Sequence, residues 1–138
     1  MGVRRATLEE LLSTSDFVSI HVPLTEETRG MIGERELSLM KPTAVLVNTA
    51  RGQVVDEEAL CQALKERRIF AAGLDVFHEE PLPADSPLRD LDNVVLLPHI
   101  GSASIATRTK MAVMAAQNLI QALSGKRPEH VVNPEVLG

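Results

Sequence analysis

The sequence has no tryptophan and no tyrosine, and only three phenylalanines in 138 residues. Any core must therefore be built from Leu, Ile, Val, Ala and Met. A single cysteine, Cys61, excludes an internal disulfide. It lies mid-helix in "EEALCQALKE" and most simply packs as a small apolar residue. There is no basic tract and the net charge is −5, which argues against a nucleic-acid partner. No apolar run approaches the ~20 residues of a membrane span. The segment "MGVRRATLEELL" lacks the apolar stretch of a signal peptide. One cysteine and scattered histidines have no metal-ligand spacing, so no metal site is expected. No G-x-S-x-G elbow is present, which argues against a serine triad. These absences point to a cytoplasmic protein, long enough for one domain with a real core.

What is present is an alternation of short strands and helices. Thr7 followed by Glu10 is a capping-box pattern and predicts a helix from about Leu8 to Ser13. "DFVSIHV" reads as a strand, "TEETRG" as a polar turn, and "ERELSLM" as a short helix stopped by Pro42. "AVLVN" is a continuous apolar strand. "DEEALCQALKERR" is a helix with acids in its first turn and bases in its last, as the helix dipole favours. "IFAAGLDVF" and "VVLLPHI" are two more strands, joined by a loop rich in Pro and Asp. A long helix over 104–124 closes the series, ended by Ser124 and Gly125. Short strands, apolar on both faces and alternating with helices, predict a doubly wound parallel α/β sheet. The run "MAVMAA" makes the last helix apolar nearly all round, so it should be covered on more than one side.

In open parallel sheets, ligands bind beyond the carboxyl ends of the strands. The four strand ends read "HVPLT", "NTARG", "LDV" running into "FHEEP", and "PHIGSA". They bring Arg51, Asp75, Glu80 and His99 toward one edge. Taken singly, each has a plain structural explanation. Arg51 could be a solvated surface residue, Glu80 a loop carboxylate and His99 a satisfied histidine. His21, in a strand, and His78, in a loop, are read as structural, and His130 sits in the polar tail. Asp75 sits at a buried-looking strand end and needs a partner, either a backbone group or a ligand. Together the four suggest more. Arginine offers a planar fork for a carboxylate. Histidine can give or take a proton near neutral pH, and a neighbouring carboxylate stabilises the imidazolium. That set suits a reaction at a 2-oxo or 2-hydroxy carboxylic acid.

The stretches "NTARGQVVDEEAL", "AAGLDVFHEEPLP" and "LLPHIGSAS" closely resemble the D-isomer-specific 2-hydroxyacid dehydrogenases, and within them the glyoxylate and hydroxypyruvate reductases. The resemblance runs from "LEELLSTSDFVSIHVPLT" to "NLIQALSGKRP". It implies a partial Rossmann-like fold, the C-terminal part of an NAD(P)-binding domain spanning 1–138. The helix over 104–124 would return toward the substrate domain. It implies that Arg51 binds the substrate carboxylate, that His99 is the acid–base histidine and that Glu80 pairs with it. Pro23, Thr49, Ala50, Arg51, Asp75, His99 and Gly101 would meet the cofactor, NAD or NADP. Arg51, His99, Ile100, Gly101 and Ser102 would meet a small 2-oxo or 2-hydroxy acid. A glutamate at 80, rather than the glutamine of related formate dehydrogenases, favours hydroxyacid chemistry. A homodimer is expected for the full-length family member.

The resemblance also shows what this chain lacks. No G-x-G-x-x-G follows a strand, so the pyrophosphate cradle is missing. So is the ribose-side residue that separates NAD from NADP. The flank of "DFVSIHV" should be a bare apolar edge, which invites association. The chain alone is therefore expected to be marginally stable or self-associating, to bind nicotinamide cofactor weakly and to be inactive. Two alternatives stay open: a corepressor-like binding protein on the same scaffold, and a non-catalytic truncated product.

Overall fold

A computed structural model describes residues 2–137. The chain forms two compact units, residues 1–100 and 101–138.

The first unit is a four-stranded parallel sheet in the order β1 (Phe17–Ile20), β2 (Val45–Asn48), β3 (Ala71–Leu74) and β4 (Val94–Leu96). This is the Rossmann-like α/β architecture the sequence predicts. Helices α1 (Leu8–Thr14), α2 (Glu34–Leu39) and α3 (Glu57–Lys65) complete it. Sequential strand order with parallel pairing requires a crossover between each pair, and α2 and α3 provide the first two. Local signals set the helix ends. The Thr7 hydroxyl accepts from the Glu10 amide at 3.1 Å. The Asp56 carboxylate accepts from the Ala59 amide at 3.0 Å, and Glu57 and Glu58 follow in the first turn of α3. The predicted third helix runs to Arg68, but α3 stops at Lys65, and Arg67 adopts a left-handed φ of 57°. A left-handed residue cannot continue a right-handed helix.

The core is aliphatic, as the composition requires. Leu12, Leu37, Leu60, Ala63 and Leu64 from the helices meet Val18, Ile20, Leu46, Ala72 and Leu74 from the sheet. Burial alternates along β1, β2 and β3. The sequence predicts strands covered on both faces, but Phe17 is 76% exposed and Val95 61%. An apolar run shows that a strand can be buried on both sides; it does not supply the second layer. The bare flank expected for β1 is found: it is an edge strand of the sheet. Cys61 packs half-buried against the core, and burial, then the charge of Glu57, pushes its thiol pKa up. It packs as the small apolar residue the sequence predicts.

The second unit contains α4 (Ile105–Leu123), with the Ser104 hydroxyl accepting from the Thr107 amide at its start. Residues 129–130 return along it: Gln121 accepts from the Glu129 amide and Asn118 from the His130 amide. The sequence predicts a helix covered on more than one side, yet no residue of α4 is buried. A helix apolar nearly all round needs more cover than its own short tail provides. Among the described residues, no helix is long and apolar enough to cross a membrane.

Candidate active site

The carboxyl ends of the parallel strands lie along one edge, and each leads into a loop. After β2, the Asn48 side chain is 1% exposed and organises the turn. Its Oδ1 accepts from the Ala50 amide at 3.0 Å, and its Nδ2 donates to the Arg51 carbonyl at 2.9 Å. The sequence reading does not single out Asn48. Its signal is a lone amide at the end of an otherwise apolar strand, a residue type that closes turns on its own backbone. The turn leaves Arg51 exposed, with one guanidinium nitrogen donating to the Ala50 carbonyl at 2.6 Å. Among the described residues no carboxylate forms an ion pair with Arg51.

Beyond β3, Phe77 and Glu80 form a short loop. The Phe77 amide donates to Glu80 Oε1 at 3.1 Å, which orients the carboxylate. Its other oxygen, Oε2, lies 2.6 Å from His99 Nδ1. A carboxylate can only accept, so Nδ1 carries the proton and Nε2 is the ring atom left to exchange one. The hydrogen bond from His99 holds the Glu80 carboxyl below the usual glutamate value of 4.5, helped by the Phe77 amide and by the charges of His99 and Arg51, against a partial opposition from desolvation.

Direction and sign follow from that. Because the folded value is lowered, the contact stabilises the fold above 4.5 and is lost as pH falls through the lowered value. A carboxyl-carbon NMR titration of labelled glutamate should place the Glu80 midpoint under 4.5, and His99→Ala should raise it toward 4.5. An unmoved midpoint in the variant would mean the pair does not form in solution.

His99 itself sits at φ 53°, in the left-handed region, which costs a non-glycine residue about 1–3 kcal/mol. The compensating contact is adjacent. Buried Asp75 accepts from the Ile100 amide through Oδ1 at 2.8 Å. Asp75 thus has the backbone partner its burial demands, and that partner directly follows the histidine.

Two open clefts of about 550 Å³ flank these groups. One is lined by His21, Pro23, Thr49, Ala50 and Arg51. The other is lined by Phe77, Glu80, Leu82, Leu96 and His99. The structure thus brings Pro23, Thr49, Ala50 and Arg51 to one cleft, Glu80 and His99 into contact, and Asp75 to the backbone beside His99. Gly101 and Ser102 open the second unit. His21, which the sequence presents as structural, bonds Ser19 Oγ at 2.8 Å and lines the first cleft.

The family model for the NAD binding domain of D-isomer specific 2-hydroxyacid dehydrogenases matches residues 1–101. The chain belongs to that family. A glyoxylate reductase of Korarchaeum cryptofilum is 59% identical over 137 residues, covering 99% of this chain and 41% of the relative. A crystal structure of a Thermus thermophilus protein superposes with a TM-score of 0.88 at 50% identity, covering 92% of this chain and 40% of that one. An NADPH-dependent glyoxylate/hydroxypyruvate reductase from Sinorhizobium meliloti, solved with NADP and malonate, gives 0.80 at 40% identity, covering 86% and 37%. The chain thus spans about two fifths of the length of these relatives.

The residues present fit one end of a nicotinamide cofactor. The first cleft combines apolar walls from Val22, Pro23 and Leu24 with the hydroxyl of Thr49 and the guanidinium of Arg51. The eight glycines of the sequence include no G-x-G-x-x-G, the motif that cradles a dinucleotide pyrophosphate at a helix N-terminus. No metal-binding cluster of three or more acidic, histidine or cysteine side chains occurs among the described residues.

Proposed function

We propose that this chain is the C-terminal part of the NAD(P)-binding domain of a reductase that converts a 2-oxoacid such as glyoxylate or hydroxypyruvate to the D-2-hydroxyacid. The observation that carries this reading is the 2.6 Å contact of Glu80 Oε2 with His99 Nδ1 at the carboxyl edge of a parallel sheet. Residues 104–124 then form the helix that returns toward the substrate domain.

When bound, NAD(P)H supplies the hydride that reduces C2. Pro23, Thr49 and Ala50 line the cleft that takes the cofactor, with Asp75 and Gly101 at its nicotinamide end. Arg51 binds the substrate carboxylate through its guanidinium fork. His99 gives a proton from Nε2 to the C2 oxygen and is left neutral, still bound to Glu80 through Nδ1. Glu80 stabilises the imidazolium before transfer and keeps the ring in one tautomer. Ile100, Gly101 and Ser102 complete the substrate side. A homodimer and a cytoplasmic location are the matching proposals for the full-length protein.

In a full-length reductase carrying this sequence, Arg51→Ala should raise KM for glyoxylate by about 10- to 100-fold, because a charge-assisted pair worth about 1.5–3 kcal/mol is removed. Steady-state kinetics with varied glyoxylate checks this. A change confined to kcat would move Arg51 from substrate binding to the reacting centre.

A further inference from the structure

The sequence presents His78 as a structural loop residue, yet it makes three hydrogen bonds to one neighbouring segment. Its ring Nε2 lies 2.7 Å from the Val55 carbonyl. A carbonyl only accepts, so Nε2 carries the proton. The His78 amide donates to Glu57 Oε2 at 3.1 Å. The His78 carbonyl accepts from Gln53 Nε2 at 3.1 Å. All three partners lie on residues 53–57, directly after Arg51.

The same two segments meet through backbone. Gly52 is buried, and a Cβ placed on it would overlap the Phe77 carbonyl carbon and oxygen and lie 2.6 Å from the His78 nitrogen. The contact is continuous with the active site. Phe77, the residue before His78, donates its amide to Glu80 Oε1, and Glu80 Oε2 meets His99 Nδ1.

We propose that His78 is a positioning residue that ties the loop carrying Arg51 to the loop carrying Glu80, so that the carboxylate-binding arginine and the acid–base pair are held as one unit. His78 lines neither of the two clefts. It acts through the Phe77 amide, whose direction sets where the Glu80 carboxylate points. Surface loops are ordinarily mobile, and three bonds from one exposed residue to a single neighbouring segment remove that mobility here. The proposal rests on Arg51, Glu80 and His99 forming one site, but it can fail separately, because its test reads Glu80 without turnover.

The test uses the 138-residue chain with carboxyl-labelled glutamate, followed by NMR as pH is lowered. The groups facing Glu80 are His99, Arg51 and the Phe77 amide, so its midpoint reports their placement. In His78→Ala the midpoint should rise toward 4.5, and the amide of residue 78 should lose protection from hydrogen exchange. His78→Gln keeps a side-chain N–H for the Val55 carbonyl and should restore most of the lowering. Urea unfolding establishes that each variant is cooperatively folded. A folded His78→Ala with an unmoved midpoint would overturn the proposal. So would His78→Gln moving it as far as alanine does, since the effect would then be generic to the position. If His78→Ala does not fold, His78→Leu keeps the side-chain bulk and removes only the ring N–H that meets the Val55 carbonyl, and an unmoved midpoint there overturns the proposal equally.

Discussion

Gly52→Ala should be the most damaging single-carbon change in this chain. The added carbon would meet the backbone of Phe77 and His78, not the tip of a flexible side chain. Backbone at the exit of a strand cannot step aside without moving β3 or the loop that holds Glu80. Overpacking of ordinary side-chain sites costs about 1–3 kcal/mol, and this site should reach or exceed the top of that range. Urea unfolding is expected to show a lower midpoint with an unchanged slope, the signature of a native state destabilised without loss of cooperativity. Gly73→Ala is the matched control. Its Cβ would sit 3.9 Å from Val47 Cγ2, an ordinary contact, so stability should be nearly unchanged. Equal losses in the two variants would show that glycine flexibility, and not the close approach at Gly52, is what matters. The Gly52 substitution should also part the Arg51 loop from the Glu80 loop and raise the Glu80 carboxyl toward its usual value, which joins the stability result to the site.

His99→Ala should cost the most in catalysis. A positioned acid–base group contributes about 10²–10⁴-fold to a proton-coupled step. In a full-length reductase, kcat with glyoxylate should fall by that factor while KM changes little, because the proposed carboxylate-binding residue is Arg51, not His99. Stopped-flow or steady-state absorbance of the nicotinamide reads both parameters. A raised KM at unaltered kcat would make His99 a binding residue and leave the proton source unassigned. His99→Gly provides a second comparison. Alanine keeps the strain of a left-handed φ at this position, whereas glycine relieves it. The glycine variant should therefore be the more stable of the two in urea, yet equally slow in turnover. That contrast separates catalytic from structural damage: the histidine is strained, and Asp75 holds the chain in place through the next amide.

Much of this was legible in the order of the residues. Strand and helix positions follow from apolar runs, Thr7 and the acids at the start of α3 announce their helices, and polar residues follow each strand. These signals are local, acting over one turn of helix or one strand. The candidate pair of Glu80 and His99 could be named from residue types and from a family resemblance, since both motifs are contiguous. Their contact spans 19 residues and depends on the parallel register of β3 against β4.

What the chain could not announce is whatever depends on two segments meeting. Gly52 and His78 look like any loop residues until β2 and β3 lie side by side, with Asn48 opposite Leu74. Only then does the missing Cβ become a space filled by backbone, and only then does the histidine reach the Val55 carbonyl. Asp75 likewise declared its need for a partner by its position at a strand end, but the partner, the Ile100 amide, was chosen by the arrival of β4. The α/β architecture and the residue types offered at the strand ends were determined by sequence alone, because periodicity and side-chain type are properties of each residue. The joining of the loop after β2 to the loop after β3 was decided by tertiary structure, because sterics and hydrogen-bond geometry exist only between segments already packed.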